Sequence, residues 1–359
     1  MHDTPIRFYV DPAWRRLGHQ HTPLLYPFWG NPLDPKRVPF QHMLFEHHSF
    51  DPAYYRVTEK ADEADVVLMP YAHNWVLRVM PELFEECRAT AKRLGKPLLV
   101  DGIGDIENPV PPDVLVLRYG GYRFSRTGNE IFIPPYADDL LEVYCNGQLQ
   151  LRAKDTKPII GFAGWGSLSW RQGLRTIVKE LPDRVRGLFD SRYKAKKKGV
   201  FFRTRALLTL QGSKKVVCNF LIRSSYSGHF HTYESDPEVL RKEFVNNLLQ
   251  SDYGLDIRGD ANASTRLFEM LSLGRIPVIV DTQRNLPFSE QLDYSTFSLT
   301  VDFRDIKKLP ECIAEFHSNL SPERFVEMQK NARAAYRNYF RIDALTPHLI
   351  AEIRRKARL

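Results

Sequence analysis

A chain of 359 residues is long enough for two domains, each with its own core. With 43% apolar and 26% charged residues, the composition is that of a folded globular protein and excludes a disordered or fibrous chain. The formal charge of +8 predicts attraction to anionic partners, whether nucleic acid, membrane surface or phosphorylated small molecules, and by itself selects none of them.

Short apolar, β-branched runs alternate with longer helix-compatible segments, the pattern of parallel α/β layers. The first series of predicted strands is Ile6 to Val10, Val66 to Tyr71, Pro97 to Val100, Val114 to Arg118 and Glu130 to Pro134, with one helix from Trp75 to Leu94. Gln148 to Pro158 is polar and lacks apolar periodicity, so it reads as a linker. A second series follows: strands at Ile159 to Ala163, Val216 to Ile222, Tyr253 to Ile257, Ile276 to Val280 and Phe297 to Val301, and helices at Leu168 to Leu181, Pro237 to Ser251, Ser264 to Leu273 and Pro322 to Phe340. The expected architecture is two Rossmann-like domains facing across a cleft. An N-terminal unit spans 1–150 and a C-terminal unit 156–340; a basic helix, 341–359, packs back on the first. Ligands in such sheets bind beyond the carboxyl ends of the strands.

No stretch approaches the roughly 18 apolar residues of a membrane span, and Met1 to Val10 lacks the features of a signal peptide. Cys87, Cys145, Cys218 and Cys312 are scattered and form no CxxC pair, which fits a reducing compartment and argues against zinc. The expected location is cytoplasmic, peripheral at the inner face of the membrane. Of the two basic clusters, Lys194 to Lys198 reads as a solvated loop. The cluster from Arg354 to Arg358, with Ile350, Ile353 and Leu359, reads as a helix that touches an anionic bilayer.

The chemistry concentrates between Arg258 and Asp281. A buried strand ends at Gly259, the small-residue turn Asp260-Ala-Asn-Ala-Ser264 follows, and a helix begins with Ser264 as its N-cap and stops at Gly274. Strand, turn and helix N-terminus make an anion site, because unpaired backbone N–H groups and the helix dipole both favour phosphate. Gly259, Ser264 and Thr265 lie where a diphosphate can approach, and Arg266 adds a planar cation suited to phosphate oxygens. Glu269, one turn further on the same face, is spaced for ribose hydroxyls; the simpler alternative is an Arg266–Glu269 surface ion pair.

The run Gly259-Asp-Ala-Asn-Ala-Ser-Thr-Arg-Leu-Phe-Glu-Met-Leu-Ser-Leu-Gly-Arg-Ile-Pro-Val278 resembles the signature of the exostosin glycosyltransferases, glycosyltransferase family 47. So do Asp281, Leu286 to Glu290, Tyr294 to Phe297 and Asp305 to Leu309 and, more thinly, Ala61 to Tyr71, Ile131 to Tyr136 and Gly161 to Gly164. The resemblance implies an α/β chain of GT-B architecture and transfer with inversion from a nucleotide-sugar, a UDP-sugar being favoured, to a saccharide or lipid-linked saccharide acceptor in surface polysaccharide synthesis. It assigns Ser264 and Arg266 to the diphosphate and Glu269 to the ribose. Arg223, just after a strand, is a second phosphate cation or a surface arginine.

No Asp-x-Asp lies between apolar strands, and Asp138-Asp139 and Asp101 to Asp105 lack that context, so no metal is expected; helix dipole and arginine take its place. The candidate bases, on loops after N-terminal strands, are His73, Asp101 and Asp105, each with an alternative role as a capping or turn residue. His19, His21, His47 and His48 read as loop histidines. Two other readings stay open: a GT-B-like nucleotide-sugar epimerase, which needs no acceptor, and a nucleic-acid-binding or DNA-modifying protein suggested by the charge, though no nucleic-acid partner is expected.

Overall fold

A computed structural model of the chain describes residues 4–104, 107–166, 175–178, 180–223 and 236–359. Two sheets organise it. The first holds β1 (Ile6–Tyr9), β2 (Tyr55–Thr58), β3 (Val66–Ala72), β4 (Leu98–Asp101), β5 (Val114–Arg118) and β6 (Glu130–Phe132) in the order β2-β1-β3-β4-β5-β6. The second holds β7 (Ile159–Trp165), β8 (Val217–Arg223), β9 (Tyr253–Asp256), β10 (Ile276–Asp281) and β11 (Leu299–Asp302) in the order β11-β10-β9-β7-β8. Every pairing between neighbouring strands is parallel. This is the two-sheet parallel α/β layout that the sequence predicts.

The helices are α1 (Tyr26–Trp29), α2 (Pro39–His47), α3 (His73–Val79), α4 (Pro81–Leu94), α5 (Leu140–Cys145), α6 (Leu181–Phe189), α7 (Gly199–Gln211), α8 (Pro237–Leu249), α9 (Thr265–Ser272), α10 (Leu309–Asn319), α11 (Pro322–Ala335) and α12 (Ile342–Ala357). The single helix expected from Trp75 to Leu94 is two, α3 and α4. Met80 turns out of the helical region (φ −150, ψ 63) because a proline follows it, and Pro81 opens α4 at a position where no N–H is needed. The helix expected at Leu168 to Leu181 lies largely outside the described residues. Strand β2 and helices α1, α2, α5, α6, α7 and α10 answer to no sequence expectation.

The largest core packs both faces of the first sheet and also takes in Leu267, Phe268 and Leu271 of α9, Tyr336 and Phe340, and Leu345, Leu349 and Ile353 of α12. The basic C-terminal helix therefore does not present an apolar face to a membrane, which corrects that expectation. Ile350 and Ile353 are buried, the latter with no exposed surface, and each such side chain contributes on the order of 2 kcal/mol. Three of the cluster's cations have partners within the chain at its surface: Arg354 donates to the Thr4 carbonyl, Lys356 to that of Gly128 at 2.7 Å, and Arg355 pairs with Glu352 at 2.7 Å.

The same connection is polar at one point. Asp139, fully buried at the N-cap of α5, accepts two hydrogen bonds from Arg333 of α11, at 2.6 and 2.9 Å. Tyr336 donates to the Ala137 carbonyl at 2.7 Å nearby. Replacing Asp139 by Ala strands a largely buried guanidinium; urea unfolding of Asp139→Ala is expected to show a loss of about 3 kcal/mol.

Candidate functional site

In the second sheet the chain passes from β7 out to β8 and returns to β9 on the other side of β7, so the carboxyl ends of β7 and β9 form a switch point, the general place for ligands in sheets of this kind. The segment Arg258 to Thr265 closes that end of the sheet. Its organiser is Arg258, whose side chain is 1% exposed. One guanidinium nitrogen donates to the carbonyls of Gly259 and Asp260 at 3.1 and 3.0 Å, the other to those of Ala195 at 3.0 Å and Lys197. Burial holds its pKa below the ordinary guanidinium value. In a trans peptide the N–H points opposite to the C=O. With the Gly259 and Asp260 carbonyls turned onto Arg258, the amides of Asp260 and Ala261 point away from it, the arrangement of an anion-receiving turn.

Ser264 stands at the N-cap of α9 with extended backbone (φ −153, ψ 117), but its hydroxyl makes no capping hydrogen bond, unlike a typical serine cap. The first-turn N–H groups of α9 thus keep their capacity for an external anion. Thr265 is exposed beside it, and a Cβ built on Gly259 meets no atom within 4 Å, so the space in front of the turn is open. Arg266 reaches back over β7: its Nη2 donates to the Ala163 carbonyl at 2.9 Å and its guanidinium stacks 4.5 Å from the Phe162 ring centroid. Gly164, at φ +140, is where only glycine fits, since a Cβ there would stand 2.8 Å from Arg266 Nη2.

Glu269 is buried at 8% exposure and accepts from Arg241 Nη1 of α8 at 2.6 Å. Arg223 ends β8 and donates to Glu243 at 2.9 Å and to the Leu240 carbonyl at 3.2 Å. Both carboxylate and arginine are thus tied to α8.

The first sheet meets this turn across a close seam. Gly120 and Gly121 pass so near the turn that a Cβ on Gly120 would lie 2.3 Å from the Asn262 carbonyl oxygen. Asn262 Nδ2 donates to Gly121 O at 3.1 Å, and Arg123 pairs with Asp281 at 2.6 Å. Tyr122 lies between Arg258 and Lys196, 5.8 and 5.7 Å from its ring centroid, and Lys198 approaches Asp260 at 3.5 Å.

The three acid–base candidates fare differently. Asp105 lies outside the described residues. Asp101 is 3% exposed, accepting from Thr22 Oγ1 at 2.7 Å and from the Ile103 amide at 3.0 Å; burial raises its pKa. His73 is 1% exposed, and burial, aided by Arg118, lowers its pKa to about 4. Its Nδ1 and Nη1 of Arg118, at the carboxyl ends of β3 and β5, have no hydrogen-bond partner among the described residues. Arg118 otherwise pairs with Glu130 at 3.0 Å.

Sequence reading passed over Glu107. It lies on the loop after β4, partly open to solvent yet crowded enough that desolvation raises its carboxyl pKa, with Arg118, Arg258 and Lys196 pulling the other way. Arg258 and Lys196 belong to the second half of the chain, so exposed Glu107 lies within electrostatic reach of it. Nothing local marks it. The Gly120-Gly121 pair directly after a strand was a usable sign of close backbone approach.

His48, Asp139 and Glu142 stand close enough together to hold a cation. Arginines already occupy two of them: Arg333 engages both oxygens of Asp139, and Arg341 donates to Glu142 at 3.0 Å.

Residues 207–316 match the Exostosin GT47 domain. This segment is exostosin-like. It encloses β8 to β11, Arg258, the turn, Arg266, Glu269, Arg241 and Asp281, and stops short of Ala61 to Tyr71, Ile131 to Tyr136 and Gly161 to Gly164. The Exostosin-1 homolog of Caenorhabditis elegans is 32% identical over 114 residues, which cover 32% of this chain and 29% of that protein. Looser likenesses join the chain to a glycosyltransferase from Rickettsia africae (12% identity, TM-score 0.36, 82% of this chain and 77% of the other). Another is to Anabaena HepE in complex with UDP (12%, TM-score 0.38, 98% and 99%).

The His73 imidazole yields a pH dependence. Its folded pKa, about 4, lies below the ordinary 6.5, so on acidification the unfolded chain takes the proton first. Its contribution to stability is complete above pH 6.5 and falls away towards pH 4. Melting temperatures of His73→Gln are expected to decline less steeply than wild type across that window.

Proposed function

We propose that the protein is a glycosyltransferase that binds a nucleotide-diphosphate sugar on the exostosin-like segment and transfers the sugar to a saccharide or lipid-linked saccharide held by the first sheet. The observation that carries this reading is the coincidence of the family match with the switch-point turn: one stretch supplies the outward amides of 260 and 261, the uncapped start of α9, and Arg266. A UDP-sugar is the favoured donor. The amides and Arg266 receive the diphosphate, and Glu269, oriented by Arg241, receives ribose hydroxyls. Arg223 serves as a second cation if it exchanges Glu243 for phosphate.

Departure of the nucleotide places negative charge on the diphosphate, where fixed dipoles and Arg266 stabilise it without reorganising. We assign no metal to the step. Inversion requires a base on the acceptor side, and exposed Glu107 is more accessible than buried Asp101, whose two oxygens are engaged by the Thr22 hydroxyl and the Ile103 amide. A raised pKa suits a carboxylate that must take a proton near neutrality.

Calorimetry with UDP tests the donor half. Arg266→Ala and Glu269→Gln are each expected to weaken binding about tenfold or more, the worth of one charge-assisted hydrogen bond; unchanged affinity in both sinks the assignment. Turnover tests the acceptor half. Glu107→Gln is expected to retain UDP affinity and lose about a hundredfold or more in kcat, with chelators without effect on the wild-type rate. Hydrolysis or epimerisation of the donor with no transfer to any added saccharide would point to the epimerase reading.

A further inference from the structure

Helix α6 carries its apolar residues on the outside. Leu181, Val185, Leu188 and Phe189 fall at i, i+4, i+7 and i+8, a single helical face, and are 54%, 46%, 78% and 90% exposed. Ile177 and Val178, just before it, are 38% and 71% exposed. The opposite face is the one packed: Gly187 is buried, and a Cβ there would stand 3.2 Å from Lys194 Cγ in the following 3-10 turn, Ser191–Lys196. A helix that buries a glycine and shows water a leucine, a valine and a phenylalanine is inverted relative to the other helices of the fold.

Charge surrounds this face. Between Leu181 and Lys198 the chain has seven lysines and arginines against two aspartates. Arg184, paired with Glu180 at 2.9 Å, and Arg186 flank the apolar stripe on either side, and Lys194 is exposed on the turn that packs against the opposite face. The cations are dense enough to affect one another: Lys197 has its pKa lowered, first by burial and then by Arg184 and Arg205.

We propose that helix α6 and the basic turn behind it form a peripheral docking surface for an anionic lipid bilayer, the apolar stripe entering the acyl boundary and the cations meeting lipid phosphates. A bilayer answers both halves of the surface at once. A second copy of the chain would cover the apolar stripe only by bringing two strongly positive patches together. Because Ala195 and Lys197 also hold Arg258, the docking surface and the donor turn are one connected piece. The proposal concerns membrane binding and does not depend on the transfer reaction.

The test is co-sedimentation of the full chain with vesicles of phosphatidylcholine alone and of equal parts phosphatidylcholine and phosphatidylglycerol. Wild type is expected to bind the second and not the first, more weakly as salt rises. The double variant Leu188→Gln/Phe189→Gln is expected to lose about tenfold or more in vesicle affinity, and Arg186→Glu/Lys194→Glu to lose binding to the anionic vesicles. All four side chains are exposed, so melting temperature and UDP affinity should stay at wild-type values. Leu17→Gln, changing an isolated leucine that is 88% exposed, should bind as wild type does. No binding of wild type to anionic vesicles at low salt, or equal binding by Leu188→Gln/Phe189→Gln, overturns the proposal. So does a wild-type dimer in ultracentrifugation that this double variant abolishes, since the stripe would then belong to a second copy.

Discussion

The arrangement of the site depends on a buried cation with no carboxylate among its hydrogen-bond partners. Both terminal nitrogens of Arg258 donate to carbonyl oxygens of its own turn and of the segment 195–197, while its Nε has no partner among the described residues. Burying a charge costs several kcal/mol unless oriented dipoles replace its hydration. That requirement shapes the backbone around it: the carbonyls must face inward, and the planarity of the peptide then sends the neighbouring amides outward. An anion-receiving turn is thus a consequence of sheltering a cation. A carboxylate partner would have met the same need more simply, but would have left the turn free to rotate and placed negative charge beside the proposed phosphate site.

The turn must also be held against the other half of the chain, and here glycine acts through absence of volume. Gly120 lets the loop after β5 touch Asn262, and Gly199 lets α7 begin 2.2 Å, by its notional Cβ, from the Gly259 carbonyl. Around these contacts stand ion pairs of very different exposure. Asp256 and Arg284 are buried together, while Arg123 and Asp281 remain partly open, the arginine with a side chain 46% exposed. An exposed pair contributes at most about 1 kcal/mol and can part at little cost, whereas the buried pair must stay. The buried pair fixes the loop after β10 to β9 within the second half, while the open pair, which crosses the seam, can yield.

What could be read in the sequence was what is local. Val66 to Tyr71 and Ile276 to Val280 announce buried strands because both faces are covered and every residue can be apolar. Tyr55–Thr58 does not, because as the edge strand of its sheet it alternates and exposes Arg56. The turn, Arg266 and Glu269 lie within one strand–turn–helix unit, so spacing alone brings them together. Arg241, Glu107 and Tyr122 come from elsewhere in the chain and reach the site through packing that no periodicity encodes. Ser264 shows the opposite limit: its position was legible as an N-cap, while the idle hydroxyl was not, because residue type reports a preference and not a made bond.

The run Lys194 to Lys198 shows how a bland sequence feature divides once folded. As a string it is a charge cluster best assigned to solvent. In three dimensions its members point different ways: Lys196 lies 5.2 Å from the Tyr193 ring centroid and 5.7 Å from that of Tyr122, and Lys198 is directed to Asp260, while Lys194 stays exposed beside α6. The backbone between them carries the carbonyls that receive Arg258. Inward cations on this segment raise the potential of the cleft, and outward ones raise that of the surface, within one Debye length of each other. A substitution on the inward side is therefore felt in the turn that Arg258 holds, and one on the outward side only at the surface.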